Sequence, residues 1–184
     1  MRSGGQRGSV RASKAWTWRC VMDTLIASLL VWIGMNSSLS VAQVPIPKVV
    51  EMSPREIARQ VRDALAIAVD ESRLEGRVLG FYDPDAGPVG TIYVLRADLA
   101  PNAARYADKA ANPYFQERLL HELIHHVQFR TAVIDSLPCR AAAERDAYRL
   151  GGAFLDQRRV PDRLANRAYW IRHHGSCSRF GASG

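Results

Sequence analysis

The sequence lacks internal repeats, low-complexity segments and any collagen-like or coiled-coil periodicity. These absences exclude wholesale disorder and the fibrous protein classes. With 184 residues, the chain is too short for two ordinary domains but long enough for one domain with a substantial core. Its apolar fraction of 47% and charged fraction of 23% are typical of a soluble globular protein.

The chain has a formal net charge of +7, but the excess of basic residues is concentrated near the N-terminus. Residues 1–42 contain five basic residues and one acid, which leaves 20 basic and 17 acidic residues in 43–184. The net charge of that remainder is therefore only +3, and its arginines are scattered among acidic residues. This pattern indicates a mixed, solvated surface, so we do not expect nucleic acid binding.

The segment 1–42 has the order of features found in a secretory signal peptide. A basic region ends at Arg19, an apolar stretch is densest over 25–35, and the small residues of Ser40-Val41-Ala42 suit signal peptidase. The apolar stretch is short and interrupted for a membrane span, which needs about 20 apolar residues. We predict cleavage after this site and export of 43–184 to the periplasm or the medium, with no stable membrane span left. The alternative is a retained N-terminal membrane anchor.

Cysteine is scarce, and one of the three cysteines, Cys20, lies in the segment predicted to be removed. The mature chain would keep Cys139 and Cys177. An even number of cysteines in an exported protein predicts a disulfide. In a cytoplasmic protein the same two residues would be unpaired thiols.

The first half of the mature chain predicts an extended lead, a helix and a hairpin. Ser53-Pro54-Arg55-Glu56 forms a capping box with proline at the first helical position, and apolar residues every four positions predict a helix to about Ser72. Residues 77–82 and 91–95 are rich in β-branched, apolar and aromatic residues. Because the segment between them contains two prolines and two glycines, the two strands should form a hairpin.

The second half is predicted to be helical. Asn112-Pro113 marks the start of a helix with an apolar stripe that continues to about Arg130. A further helix should begin near Ser136 and Pro138, and a last one should run from Pro161 to about His173. The expected fold is therefore a small, mostly helical α+β domain with a β-hairpin beside the central helix.

The central helix carries the motif His121-Glu122-Leu123-Ile124-His125. Residues four apart lie on one face of a helix, so the two imidazoles can converge on one zinc ion. Glu122 is placed to reach a water molecule in the open position of that metal, which is the arrangement needed for metal-assisted hydrolysis. The alternative is an amphipathic helix with two histidines facing solvent.

A catalytic zinc ion needs a third protein ligand, and Glu144 is the best candidate. It lies among alanines in the next predicted helix, which should fold back antiparallel to the motif helix and approach it closely. Tyr148 is one turn further along the same face and could donate a hydrogen bond to a developing oxyanion, or it could be a structural tyrosine. Surface exposure is the alternative for Glu144, and His126 is expected at the surface.

HExxH followed after eighteen residues by a glutamate resembles the gluzincin clan of zinc metallopeptidases, which includes thermolysin-like and aminopeptidase-N-like enzymes. The resemblance covers residues 113–148 and implies that His121, His125 and Glu144 bind Zn²⁺ while Glu122 acts as general base. The chain is similar to the small single-domain members. It has no GAMEN-type exopeptidase element, and Tyr148 stands where thermolysin-like enzymes have an aspartate.

The resemblance implies a zincin-like fold and hydrolysis of a peptide or protein substrate, with the substrate pairing with strand 91–95. Two alternatives are a non-catalytic zinc-binding module and a metal-free exported interaction module. Glu122 distinguishes the catalytic reading from a structural zinc site, because a structural site needs no base. Oligomeric state and substrate identity do not follow from the sequence.

Overall fold

The computed structural model describes residues 9–175 and 177, and it confirms a mostly helical α+β fold with a small sheet. Its helices are α1 (Ser9–Asn36), α2 (Pro54–Ala64), α3 (Glu71–Leu74), α4 (Pro113–Arg130), α5 (Ala142–Gln157) and α6 (Arg167–Gly175). Its strands are β1 (Lys48–Met52), β2 (Gly80–Asp83) and β3 (Thr91–Leu95). Short 3₁₀ turns connect β3 to α4 and α4 to α5.

The sheet has the order β1-β3-β2. The predicted hairpin is confirmed, since β2 pairs antiparallel with β3 and Tyr82 lies opposite Ile92. The segment expected to be an extended lead contributes β1, which pairs parallel with β3. Because β3 has a neighbour on each side, the expectation that a substrate pairs with 91–95 is wrong. Among the described strands, the edge on the side of α4 belongs to β2.

Helix α2 has the predicted capping box but ends earlier than expected. The Ser53 side chain accepts a hydrogen bond from the Glu56 backbone N–H, and the Glu56 carboxylate accepts one from the Ser53 N–H at 2.7 Å. The helix stops at Ala64 rather than near Ser72, because Ala66 adopts a left-handed conformation with φ of 49°. Asp70 then caps the separate short helix α3.

Helix α4 has the bounds predicted from its sequence. The Asn112 side chain accepts a hydrogen bond from the Tyr114 N–H, and its amide donates to the Pro101 carbonyl at 2.8 Å. The apolar stripe is fully buried and forms the centre of the core; it consists of Phe115, Leu119, Leu120, Leu123, Ile124 and Val127. His126, expected at the surface, is also fully buried and donates from Nε2 to the Pro45 carbonyl.

Helix α5 packs antiparallel to α4, as predicted. Gln128 near the end of α4 contacts Ala143, His121 contacts Glu144, and Glu117 lies against Gly151. Helix α5 begins at Ala142 rather than near 136, because residues 133–136 form a 3₁₀ turn. The predicted disulfide is present and joins Cys139, just before α5, to Cys177 beyond α6.

The apolar N-terminal segment forms helix α1, and one face of it belongs to the core. Its buried side chains are Met22, Ile26, Leu29, Leu30 and Ile33. Trp32 packs edge-on against Phe154 of α5 and donates from Nε1 to Gln157 Oε1 at 2.9 Å. Trp18–Asn36 is also long and apolar enough to cross a membrane, as a signal sequence would be. Residues 1–8 of the predicted signal peptide lie outside the described residues.

Candidate metal centre

Three predicted ligands lie together where α4 and α5 face each other. The Nε2 atoms of His121 and His125 are 3.2 Å apart, as their positions one helical turn apart allow. Glu144 Oε2 lies 3.1 Å from Nε2 of His121, and its Oε1 lies 3.3 Å from Nε2 of His125. This cluster can hold a metal ion.

The spacing of the three donors fits a tetrahedral ion. Ligands at 2.0–2.1 Å from a zinc ion in tetrahedral geometry are about 3.4 Å from one another. The observed separations of 3.1–3.3 Å are close to that edge length. Two imidazole nitrogens and a carboxylate that converge in this way can share a proton or bind a metal ion.

The contacts within the cluster shift the pKa values of its own members. Burial alone would lower the pKa of His125, but its hydrogen bond to Glu144 and the charge of that carboxylate outweigh burial and raise it to about 9. Burial would raise the pKa of Glu144, but hydrogen bonds from both histidines hold it well below its usual range. Glu144 also lies in the first turn of α5, where the helix dipole favours a negative charge.

Gln128 orients one ligand, and the sequence interpretation missed it. Its fully buried side chain donates from Nε2 to the Ala143 carbonyl at 3.1 Å, which leaves Oε1 facing the Nδ1–H of His125 at 3.0 Å. In the neutral His125 ring, the free lone pair is then on Nε2, towards the cluster. Such partners of metal-binding histidines fix ring orientation and tautomer. The sequence signal for this role was that Gln128 follows His125 by three positions, so that both side chains lie on the same face of the helix.

Glu122 lies on α4 between the two histidines, with only 6% of its surface exposed. The backbone of β2 packs against its carboxylate, because a Cβ added at Gly80 would lie 2.6 Å from Glu122 Oε1. Burial raises the pKa of Glu122, against the opposing charges of His121 and His125. A carboxylate with a raised pKa is suited to accept and return a proton near neutral pH.

Tyr148 lies on α5 beside the cluster. Its ring packs edge-on against His121 with 5.0 Å between ring centroids, and it lines the same cleft. Burial first, and then the charges of Glu144 and Glu122, raise the pKa of Tyr148 to about 12. The phenol therefore keeps its proton at neutral pH and is a hydrogen-bond donor.

The cluster opens into a cleft of about 980 Å³ between β2, α4 and α5. Arg167 of α6 lines this cleft and connects α4, α5 and the segment before α6. Its guanidinium donates to Glu117 Oε1 at 2.9 Å, to the Tyr148 carbonyl at 3.0 Å and to the Asp162 carboxylate. A Cβ at Gly151 would lie 2.5 Å from Glu117 Oε1, so the glycine leaves room for this ion pair.

Comparison with known proteins gives one finding about the family. No curated protein and no solved structure matches the chain. Residues 20–179 match a family described as a domain of unknown function, DUF6647. The matched segment begins within α1 and includes the whole candidate metal centre. The chain therefore belongs to the DUF6647 family.

Proposed function

We propose that this protein is a zinc-dependent peptidase. The observation that carries the proposal is the buried Glu122 carboxylate beside a complete set of three converging ligands, in a cleft open to solvent. A purely structural metal site has no need of a buried base next to its ligands. The gluzincin-like spacing of the same residues supports the same function.

Zinc is the metal we propose for the cluster. Two imidazoles and one carboxylate form a ligand set typical of catalytic zinc, which keeps three protein ligands and one open position. Gln128 supplies the outer hydrogen bond that such histidine ligands usually make. When bound, zinc polarises a carbonyl and lowers the pKa of water in its open position.

In amide hydrolysis, Glu122 and Tyr148 would have separate roles. Glu122 accepts a proton from the attacking water as the oxygen bonds to the scissile carbonyl carbon. The Tyr148 hydroxyl donates a hydrogen bond to the oxygen that gains negative charge. Glu122 then delivers its proton to the amine as the C–N bond breaks. The hydroxyl of the water ends in the carboxylic acid product and its proton in the amine product.

We propose that the peptide lies along β2. This strand has an unpaired edge among the described strands and borders the cleft, and Gly80 at its start touches Glu122. An extended peptide added to that edge would form backbone hydrogen bonds while its scissile bond faces the cluster.

We propose that the protein acts outside the cytoplasm and keeps α1 after export. The disulfide fits an oxidising compartment, and the basic N-terminal region fits secretion. Retention is supported by five α1 side chains in the core and by a family match that begins at residue 20. The measurement is the intact mass of the protein isolated from its native compartment. A chain that begins near Gln43 would contradict retention and support cleavage.

Substitution of Glu122 by Gln tests the catalytic proposal. The full chain should bind one zinc ion, measured by elemental analysis, and should cleave members of a peptide library analysed by mass spectrometry. Glu122→Gln should keep the zinc ion but lose activity by about 10²–10⁴-fold, because glutamine cannot accept the proton. Glu75→Gln removes the same charge at an exposed position and is the matched control.

Each other outcome has a defined meaning. Full activity of Glu122→Gln would show that another group is the base. Bound zinc without turnover by the wild-type protein would favour a non-catalytic zinc-binding module. Absence of zinc binding would favour a metal-free interaction module.

A further inference from the structure

Arg118 lies on α4 one turn before His121 and lines the same cleft. Its Nη1 atom is buried and has no hydrogen-bond partner among the residues that the structure describes. A guanidinium offers five donors, and burying one without a partner costs free energy. Such a group needs an explanation, because buried cations in native proteins are normally paired.

Three of the acidic side chains that line the cleft are already engaged by other groups. Glu117 and Asp162 both accept hydrogen bonds from Arg167. Glu144 is held by the two histidines of the metal cluster. No carboxylate in the described part of the chain lies within 4.0 Å of a nitrogen of Arg118. Among the described residues, Arg118 therefore has no carboxylate in direct contact, and Glu117 and Glu122 act on its charge only from a greater distance.

The arginine shares a helix face with the candidate metal centre. Residues 118, 121, 122 and 125 are separated by three, four and seven positions, so they line one side of α4. With a rise of 1.5 Å per residue, the Arg118 backbone is about 4.5 Å along the axis from that of His121. Burial lowers the pKa of Arg118, against the opposing charges of Glu117 and Glu122. An arginine nevertheless stays charged. The cleft therefore presents a cation whose buried Nη1 has no hydrogen-bond partner among the described residues.

We propose that Arg118 is a specificity-determining residue that binds a carboxylate of the substrate. A guanidinium and a carboxylate form two parallel hydrogen bonds, which would satisfy the buried donors. This inference rests on the proposed peptidase function and narrows its substrate class to peptides with a carboxylate near the scissile bond. That carboxylate is either the C-terminus of the peptide or an aspartate or glutamate side chain.

Binding of defined peptide pools distinguishes the two sources without requiring turnover. The probes are three pools of N-acetylated hexapeptides. The first has a free C-terminus and no acidic side chain, the second is C-terminally amidated with no acidic side chain, and the third is amidated with one Asp or Glu. Each is dialysed to equilibrium against the zinc-loaded Glu122→Gln protein, and retained peptides are quantified by mass spectrometry.

Retention of the first pool over the second by roughly 10- to 100-fold would identify the C-terminal carboxylate, as expected for a hydrogen-bonded charge. Preferential retention of the third pool would identify an acidic side chain. When combined with Glu122→Gln, Arg118→Met should abolish the preference for carboxylate-containing peptides, whereas Arg118→Lys should keep part of it. Arg105→Met removes an exposed arginine that does not line the cleft and should leave the preference unchanged. Zinc content and thermal melting confirm that each variant is folded and loaded.

Equal retention of all three pools would overturn the inference, as would a preference that survives Arg118→Met. The proposed peptidase function is tested separately, by turnover of all three pools by the wild-type protein. Cleavage of the second pool as fast as the others leaves the peptidase proposal intact and overturns carboxylate recognition. Preferential retention of peptides with a carboxylate, with no cleavage of any pool, would support carboxylate recognition by Arg118 and contradict the peptidase proposal.

Discussion

Helix α1 is either a part of the folded domain or a segment with a separate role in export, and a pair of substitutions decides between them. Ile33 and Val31 lie two residues apart on this helix. Ile33 is fully buried in the core cluster, whereas Val31 is 59% exposed. Substitution of each by alanine removes a branched apolar side chain from the same helix, with little difference in helix propensity.

The expected effects differ because only one of these side chains fills space in the core. Removal of a buried isoleucine side chain costs about 2–5 kcal/mol, from lost burial and from the cavity left behind. For a chain of this size each kcal/mol corresponds to about 2–4 °C, so Ile33→Ala should lower the melting temperature by about 4–20 °C. Val31→Ala should change the free energy of unfolding by no more than about 0.5 kcal/mol.

Thermal and urea unfolding of the full-length chain, followed by circular dichroism, measures both variants. The disulfide must be intact in each sample, which a thiol assay confirms. Equal melting temperatures for Ile33→Ala and Val31→Ala would refute the packing of α1 on the domain. That result would favour a cleaved signal peptide or a membrane anchor instead.

Three further predictions concern the metal centre. Gly80→Ala should lower kcat without loss of zinc, because the new Cβ would displace the Glu122 carboxylate; unchanged kcat would show that this contact has no role. Gln128→Ala should weaken zinc binding about 10–100-fold, measured by competition with a chelator, because it frees the His125 ring. The raised pKa of His125, about 9 against 6.5 unfolded, stabilises the metal-free protein below about pH 6.5, and this contribution is lost as pH rises through 9. Urea unfolding at pH 6.5 and 9 should therefore show a loss of stability in chelator that is absent with zinc, and zinc affinity should rise over the same range.

Much of the fold could be predicted because its signals are local. The bounds of α4 follow from Asn112-Pro113 at one end and from an apolar stripe that ends near Arg130. The capping box at Ser53 and the turn between β2 and β3 involve residues close together in the sequence. The antiparallel packing of α5 followed from a short connection, which leaves few other arrangements.

Non-local pairing explains the errors in the sheet. Strand β1 forms because its backbone pairs with β3, more than forty residues away, and its sequence has no strong strand pattern of its own. That pairing placed β3 in the centre of the sheet and left β2 at the edge beside the cleft. The error in α2 has a different cause. A left-handed turn at Ala66, a residue that does not favour this conformation, ends the helix before the predicted position.

The sequence by itself determined which residues form the candidate metal centre. Helical spacing places His121 and His125 on one face of α4. Glu144 follows in the next helix at a distance along the sequence that puts its carboxylate beside the two histidines when α5 packs antiparallel to α4. Only the tertiary structure decided what surrounds this site: the amide that orients His125, the strand that touches Glu122, the buried Arg118 Nη1 with no hydrogen-bond partner among the described residues, and the burial of α1. The physical reason is that helix periodicity is a property of neighbouring residues, whereas burial and hydrogen-bond partners depend on segments that meet only after the chain has folded.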